Sequence, residues 1–240
     1  MIDTHVHLGD DAAEVLARAR AGGVTRVVDV ATTIAGARRT LARAEREDGV
    51  FACLGVHPHE AAQPGDLDEL AELLAHPKAV AVGETGLDYF RDYAPREAQQ
   101  RLFDAELALA RELCKPVVIH TRAADDDTRA RLVAHDGPVV LHCFSSPPLL
   151  DDALEHGWYV SFAGNVTYRN AYDLRDCARR VPAERLLVET DSPYLAPQAV
   201  RGKRNEPAYV AHTYAFLSEL RGHDVRSRVE GNANRLFGLT

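Results

Sequence analysis

At 240 residues and 26.3 kDa the chain can bury about 70% of its extended surface. Its 46% apolar and 27% charged residues exclude a disordered, collagenous or coiled-coil chain. With 28 basic against 36 acidic residues the net charge is −8, so bulk charge excludes non-specific coating of nucleic acid; a phosphate substrate would need a local basic patch or a metal.

The first ten residues, MIDTHVHLGD, lack the basic and apolar regions of a signal peptide. No apolar run is long enough to cross a bilayer. Four cysteines, Cys53, Cys114, Cys143 and Cys177, form no CxxC pair, so neither a disulfide scaffold nor a zinc knuckle is indicated. A cytoplasmic protein is expected.

Short apolar runs alternate with segments of helical periodicity. The runs are Ile2–Leu8, Val24–Ala31, Val50–Val56, Ala79–Gly83, Pro116–His120, Pro138–Cys143, Trp158–Phe162 and Arg185–Glu189. The first helical segments are Asp11–Ala21, Ile34–Glu47, Asp66–Ala75 and Arg96–Leu113. Asp126–Ala134, Pro147–Glu155, Ala171–Arg180 and Pro207–Leu220 follow. Gly22–Gly23, before the second run, is a helix stop and not a phosphate loop. Val117–Ile119 and Val139–Leu141 are apolar without alternation, as strands buried on both faces are. Eight strand–helix pairs over about 220 residues predict an α/β protein, a TIM-like (β/α)8 barrel spanning 1–240 as one domain. A doubly wound open sheet has the same periodicity.

Polar residues with metal-binding chemistry recur at strand ends. His5 and His7 close the first strand, where i and i+2 share a face. Glu84, His120, His142 and Asp191 follow four later runs. A single histidine after a strand is usually a structural hydrogen-bonder. Recurrence at five strand ends is different, because a barrel gathers those ends at one mouth. Four imidazoles and two carboxylates suit one or two divalent ions. Such an ion lowers the pKa of its bound water to about 7. Asp191 is the candidate general base, since the last strand returns beside the first and faces His5 and His7. Glu84 suits a bridging role, because carboxylates bridge two ions and neutral imidazoles do not. Imidazole ligands must be neutral, so metal affinity is expected to fall below about pH 6.

Substrate-binding candidates surround this set. His57 and His59 in Gly55–Glu60 follow the third run and could be two further ligands, but six already suffice and a substrate role is expected; their bland reading is turn and capping residues. Arg201 and Lys203 lie in a cationic loop, Arg201–Pro207, in a chain with three lysines in all. Its cations could hold a phosphate; alone, such a cluster is usually a solvated loop. Arg122 and Asn165 are candidates on the same rim.

Asp3–Leu8, Gly55–His59, Gly83–Asp88, Val118–His120, His142–Ser145, Glu189–Leu195 and Arg201–Pro207 occur in this order. Together they resemble the TatD family of metal-dependent hydrolases and deoxyribonucleases, in the amidohydrolase superfamily, from residue 2 to Asn232–Phe237. The resemblance implies a TIM-like barrel with two divalent ions, Mg2+ or Mn2+ with Zn2+ also accommodated, on His5, His7, Glu84, His120, His142 and Asp191. It implies hydrolysis of DNA phosphodiesters, often exonucleolytic. Ala196 stands where the family often has threonine, which touches no ligand position. The acidic net charge favours a single-stranded end or a smaller phosphodiester over a long duplex, acted on by a monomer with no membrane partner. Two alternatives differ in class. An amide, lactone or small phosphoester hydrolase of the same superfamily would often carry a carbamylated lysine on strand four, where this chain has Glu84. A catalytically silent nucleic-acid-binding protein would have no need of the full ligand set.

Overall fold

The computed structural model describes residues 1–239. Eight strands run in chain order around one sheet, and every pairing from β1 to β8 is parallel. They are β1 Ile2–Val6, β2 Arg26–Val30, β3 Val50–Leu54, β4 Ala79–Asp88, β5 Val117–Arg122, β6 Val139–Leu141, β7 Tyr159–Phe162 and β8 Leu186–Val188. Helices α1 Ala12–Ala21, α2 Ile34–Arg46, α3 Leu67–Leu74, α4 Arg96–Glu112 and α5 Asp125–Val133 pack outside the sheet. They are followed by α6 Leu150–Glu155, α7 Tyr172–Arg180, α8 Val210–Arg221 and α9 Arg226–Phe237. All five β1 residues and all ten β4 residues are buried, as expected of strands covered on one face by helices and on the other by the barrel interior. The array is the TIM-like barrel, and the open doubly wound alternative falls away because β8 returns to β1.

That closure is made just past β8. Val6 bridges Ser192, His7 N–H donates to the Ser192 carbonyl at 2.8 Å, and Asp191 N–H donates to the His5 carbonyl at 3.0 Å. The buried Asp3 carboxylate accepts from the Thr190 N–H at 2.9 Å and its hydroxyl at 2.6 Å, clamping the same seam. The barrel therefore sets the ends of β1 and β8 side by side.

Local sequence explains the helix boundaries. The Thr33 hydroxyl caps α2 by accepting from Gly36 N–H at 3.0 Å, and the Asp66 carboxylate caps α3 through Asp68 N–H at 3.0 Å. Leu70 and Leu74, one helical turn apart on α3, are fully buried, each contributing about 2 kcal/mol. α1 stops at Gly22–Gly23, as expected.

Two elements differ from expectation. β4 continues five residues beyond Gly83 to Asp88, so Glu84 lies within a strand instead of after one. Gly-x-x-Gly reads as a turn, but here the glycines serve close approach. A Cβ on Gly83 would meet the Val118 carbonyl at 2.6 Å, and one on Gly86 the His120 carbonyl at 2.0 Å; both have positive φ, +148° and +133°. The second difference is α9, absent from the expected helices. Its buried apolar stripe is only Val229, Ala233 and Phe237, too narrow to stand out among Arg, Asn and Gly. Asn232 is buried in the same helix and donates to the Ala183 and Leu186 carbonyls at 2.8 and 2.9 Å, tying it to the start of β8.

Candidate metal centre

The carboxyl ends of the strands open into a cavity of about 880 Å3. His7, His57, Glu84, His120, His142 and Asp191 line it, and His5 lies fully buried beneath. All six residues expected at strand ends therefore meet in one place.

Glu84 is the middle of the cluster, and its two oxygens face different partners. Oε2 is 3.5 Å from both His5 Nε2 and His7 Nε2. Oε1 is 2.9 Å from His120 Nδ1, 2.9 Å from His142 Nε2 and 3.4 Å from His57 Nε2. Asp191 Oδ1 adjoins the first group, 3.6 Å from His7 Nε2. Ligand atoms of His5, His7 and Glu84 lie within 4.8 Å of one another, as do those of His57, Glu84 and His120. The first set could hold a cation, and in the second Glu84 and His120 offer the lone pairs.

Neighbouring groups fix which imidazole nitrogen is free. His7 Nδ1 is 3.1 Å from the Val30 carbonyl and must donate to it, which leaves the Nε2 lone pair toward the cavity. His142 Nδ1 is 3.2 Å from Glu189 Oε1, which also accepts Cys143 N–H at 2.8 Å, so its Nε2 faces Glu84. His120 Nε2 is 3.1 Å from Asp88 Oδ2, and its Nδ1 faces Glu84. The Nε2 atoms of His5 and His7 are 3.3 Å apart, with a carboxylate oxygen beside both. His5 Nδ1 is buried without a partner. This donor set fits a divalent ion: lone pairs converge where a proton could satisfy only one of them.

His57 is different. Its Nδ1 accepts from His59 N–H at 3.1 Å, so the neutral ring carries its proton on Nε2. Burial pushes its pKa down to about 4 despite the charge of Glu84, so the ring is neutral at pH 7. It is a hydrogen-bond donor to the cavity and not a lone-pair ligand.

The centre attracts positive charge. Burial opposes protonation of His7, but its bond to Asp191 and the charge of Glu84 raise its pKa to about 9. His120 and His142 are raised likewise, against burial, by Asp88 and Glu84 and by Glu84 and Glu189. Glu84 and Asp191 are held below the carboxylate range in spite of burial, chiefly by His142 and by His7 respectively. Protons and a cation would therefore compete for one set of atoms.

The outer candidates divide. His59 is bound at Nε2 to Asp88 Oδ2, 2.8 Å away. Arg122 and Asn165 line the cavity, and Asn165 Oδ1 is buried without a partner. Arg201 and Lys203 are exposed and stand outside the lining. Arg201 stacks on Tyr168 with its guanidinium 3.6 Å from the ring centre, and Arg204 pairs with Asp11. Asn205 of that loop is buried, and its amide donates to the Thr190 carbonyl at 2.9 Å and so braces the Asp191 turn.

Three supporting carboxylates escaped the sequence reading. Asp88 Oδ2 receives His59 and His120, while its Oδ1 accepts Phe90 and Arg91 N–H at 3.0 and 2.9 Å. Glu189 orients His142. Glu106, fully buried on α4, accepts Val56 N–H at 2.7 Å and the Thr85 hydroxyl at 2.6 Å, joining the His57 loop to the strand that carries Glu84. Asp88 ends a strand and obeys the same address rule as the ligands; ending β4 at Gly83 hid it.

A parallel barrel with imidazoles and carboxylates gathered at its carboxyl end defines a metal-dependent hydrolase. The chain belongs to the TatD-related DNase family, whose pattern it matches over residues 2–238. It is 43% identical to YcfH of Escherichia coli (strain K12), an uncharacterized metal-dependent hydrolase, over 100% of this chain and 96% of that protein. It is 35% identical to the 3'-5' ssDNA/RNA exonuclease TatD of Klebsiella pneumoniae (strain 342), over 94% of this chain and 91% of that one. The crystal structure of YjjV, a TatD homologue from Escherichia coli K12, superposes with a TM-score of 0.93 at 32% identity, covering 100% of this chain and 98% of that one. Dihydroorotase from Campylobacter jejuni shares the fold alone, with a TM-score of 0.63 at 13% identity over 100% of this chain and 83% of that one.

Proposed function

We propose that the protein is a phosphodiester hydrolase that uses two divalent ions and acts on DNA ends as an exonuclease. The observation that carries this is Glu84, whose two oxygens divide His5 and His7 from His120 and His142. In this reading Glu84, the four histidines and Asp191 would hold the ions, Glu84 reaching both groups of histidines, and Mg2+ or Mn2+ would occupy the site, with Zn2+ also accommodated. The ions would lower the pKa of coordinated water to about 7 and offset charge on the phosphate. Asp191 stays ionised and is the proton acceptor at the attacking water. Its backbone N–H donates to the His5 carbonyl at 3.0 Å, which fixes its turn beside β1. His57, a neutral donor, and Arg122 hold non-bridging phosphate oxygens; His59 and Asn165 position the sugar end of the substrate.

The lysines give the lactone or amide reading no support. Lys78 Nζ binds the Val50 carbonyl at 3.3 Å, Lys115 Nζ binds the Ala79 carbonyl at 2.5 Å, and Lys203 is exposed. No lysine lines the cavity, so none is available for carbamylation there. The test is release of nucleotides from end-labelled single-stranded DNA by metal-loaded protein. Release with magnesium or manganese is expected; turnover of lactones with none of the labelled DNA would reverse the assignment.

A further inference from the structure

Three of the largest exposed apolar side chains stand around the mouth of this cavity. Phe90, Tyr93 and Tyr194 are 62, 63 and 62% exposed, so their ring faces are open to a ligand. Phe90 and Tyr93 follow β4, and Tyr194 follows β8. In a barrel of eight strands the fourth and eighth are diametrically opposite. The rings therefore flank the centre from both sides.

Each ring is held in place by cavity residues. The Tyr93 ring meets His59 edge-on with centroids 4.7 Å apart, and Tyr194 meets His7 at 6.2 Å. The Arg122 guanidinium covers one face of Phe90, 4.0 Å from its centre, and leaves the other to solvent. The loop bearing Phe90 is pinned by Asp88, which accepts its N–H at 3.0 Å, and by Gln99, which donates to the Ala94 carbonyl at 2.9 Å. Asp88 also binds His120, so one carboxylate sets both the rim and the centre. Rigid aromatic faces beside arginines form a surface for unpaired bases, since every base has a π-face and a duplex hides it.

We infer that Phe90, Tyr93 and Tyr194 are stacking platforms that grip the bases on either side of the phosphodiester at the centre, and that they make the enzyme select single-stranded ends. This rests on the phosphodiesterase reading, and the test separates the two. Binding of a fluorescent oligothymidylate is compared with the same strand carrying abasic residues next to the terminal linkage, using metal-loaded wild type, Phe90→Leu and the double variant Tyr93→Leu/Tyr194→Leu. Leucine keeps apolar bulk and removes the π-face. Wild type should bind the abasic strand about tenfold more weakly. The double variant should lose about tenfold on the base-bearing strand and show no abasic penalty, with Phe90→Leu losing part of it. Equal binding of both strands by wild type, or an undiminished penalty in the double variant, overturns the platforms while hydrolysis of both strands leaves the phosphodiesterase standing. If wild type neither binds nor cleaves either strand, both fall together.

Discussion

Asp191 sits at φ +54°, a conformation most residues avoid, and its carboxylate reaches His7 at 3.6 Å. The turn that holds it is braced on both sides, by the His5 carbonyl and by Asn205. Asp191→Asn keeps the shape and removes the proton acceptor. Turnover at saturating metal should fall by about 10²–10⁴-fold, read as kcat on labelled single-stranded DNA; an unchanged kcat would assign the base elsewhere. His7 carries a second consequence at this scale. Burial opposes its protonation, yet Asp191 and Glu84 raise its pKa to about 9, so protons compete with metal well above the ordinary imidazole range. Divalent-metal affinity should therefore weaken continuously as pH drops from about 9, and not only below about 6 as four unperturbed imidazoles would give. Competition with a chromophoric chelator across that range checks it, and a flat affinity down to about pH 6 would show that the carboxylates do not hold protons on His7.

Among the elements, β4 does the most and was the least legible. Its two glycines let the strand lie against the β5 backbone while Glu84 projects between the two groups of histidines. Gly86→Ala places a methyl group 2.0 Å from the His120 carbonyl at φ +133°, so a loss of about 3 kcal/mol in stability is expected from urea unfolding. α4 supports the same strand through Glu106. Burial raises this carboxyl from 4.5 to about 8, against the pull of its bonds to Thr85 and Val56. A proton held by the native state and lost by the unfolded one gives stability that is complete below about pH 4.5 and is lost as pH rises through about 8. Glu106→Gln should flatten the pH dependence of the urea midpoint across that window; an unaltered slope would mean that Glu106 is ionised in the folded protein. His120 and His142 could be found from sequence because each follows an unbroken apolar run, and His5 and His7 because their i, i+2 spacing puts both on one face of the first strand. Asp88, Glu106 and Glu189 could not: the first lies behind a glycine pair, the second on a helix face that reads as solvated, and the third two positions before a more conspicuous aspartate. The Arg201–Lys203 cations stood out in an acidic chain, but side-chain length and loop path decide whether a cation reaches a site. Here the loop turns them outward and buries Asn205.

At the scale of the whole molecule, parallel strands in chain order carry residues 5, 84, 120, 142 and 191 to one mouth, although they are scattered through most of the sequence. The opposite end is closed by helix α9 and by Tyr214, whose hydroxyl donates to the Ile2 carbonyl at 2.9 Å. Stability is invested there and chemistry at the mouth, the division a (β/α)8 barrel permits. The claim on which the chemistry depends is that Glu84 joins two cation sites. Elemental analysis of protein equilibrated with manganese, run on wild type and Glu84→Ala, tests it: two ions per chain are expected in wild type and at most one in the variant, whereas no bound ion in wild type, or two retained without Glu84, would show that Glu84 does not join two sites.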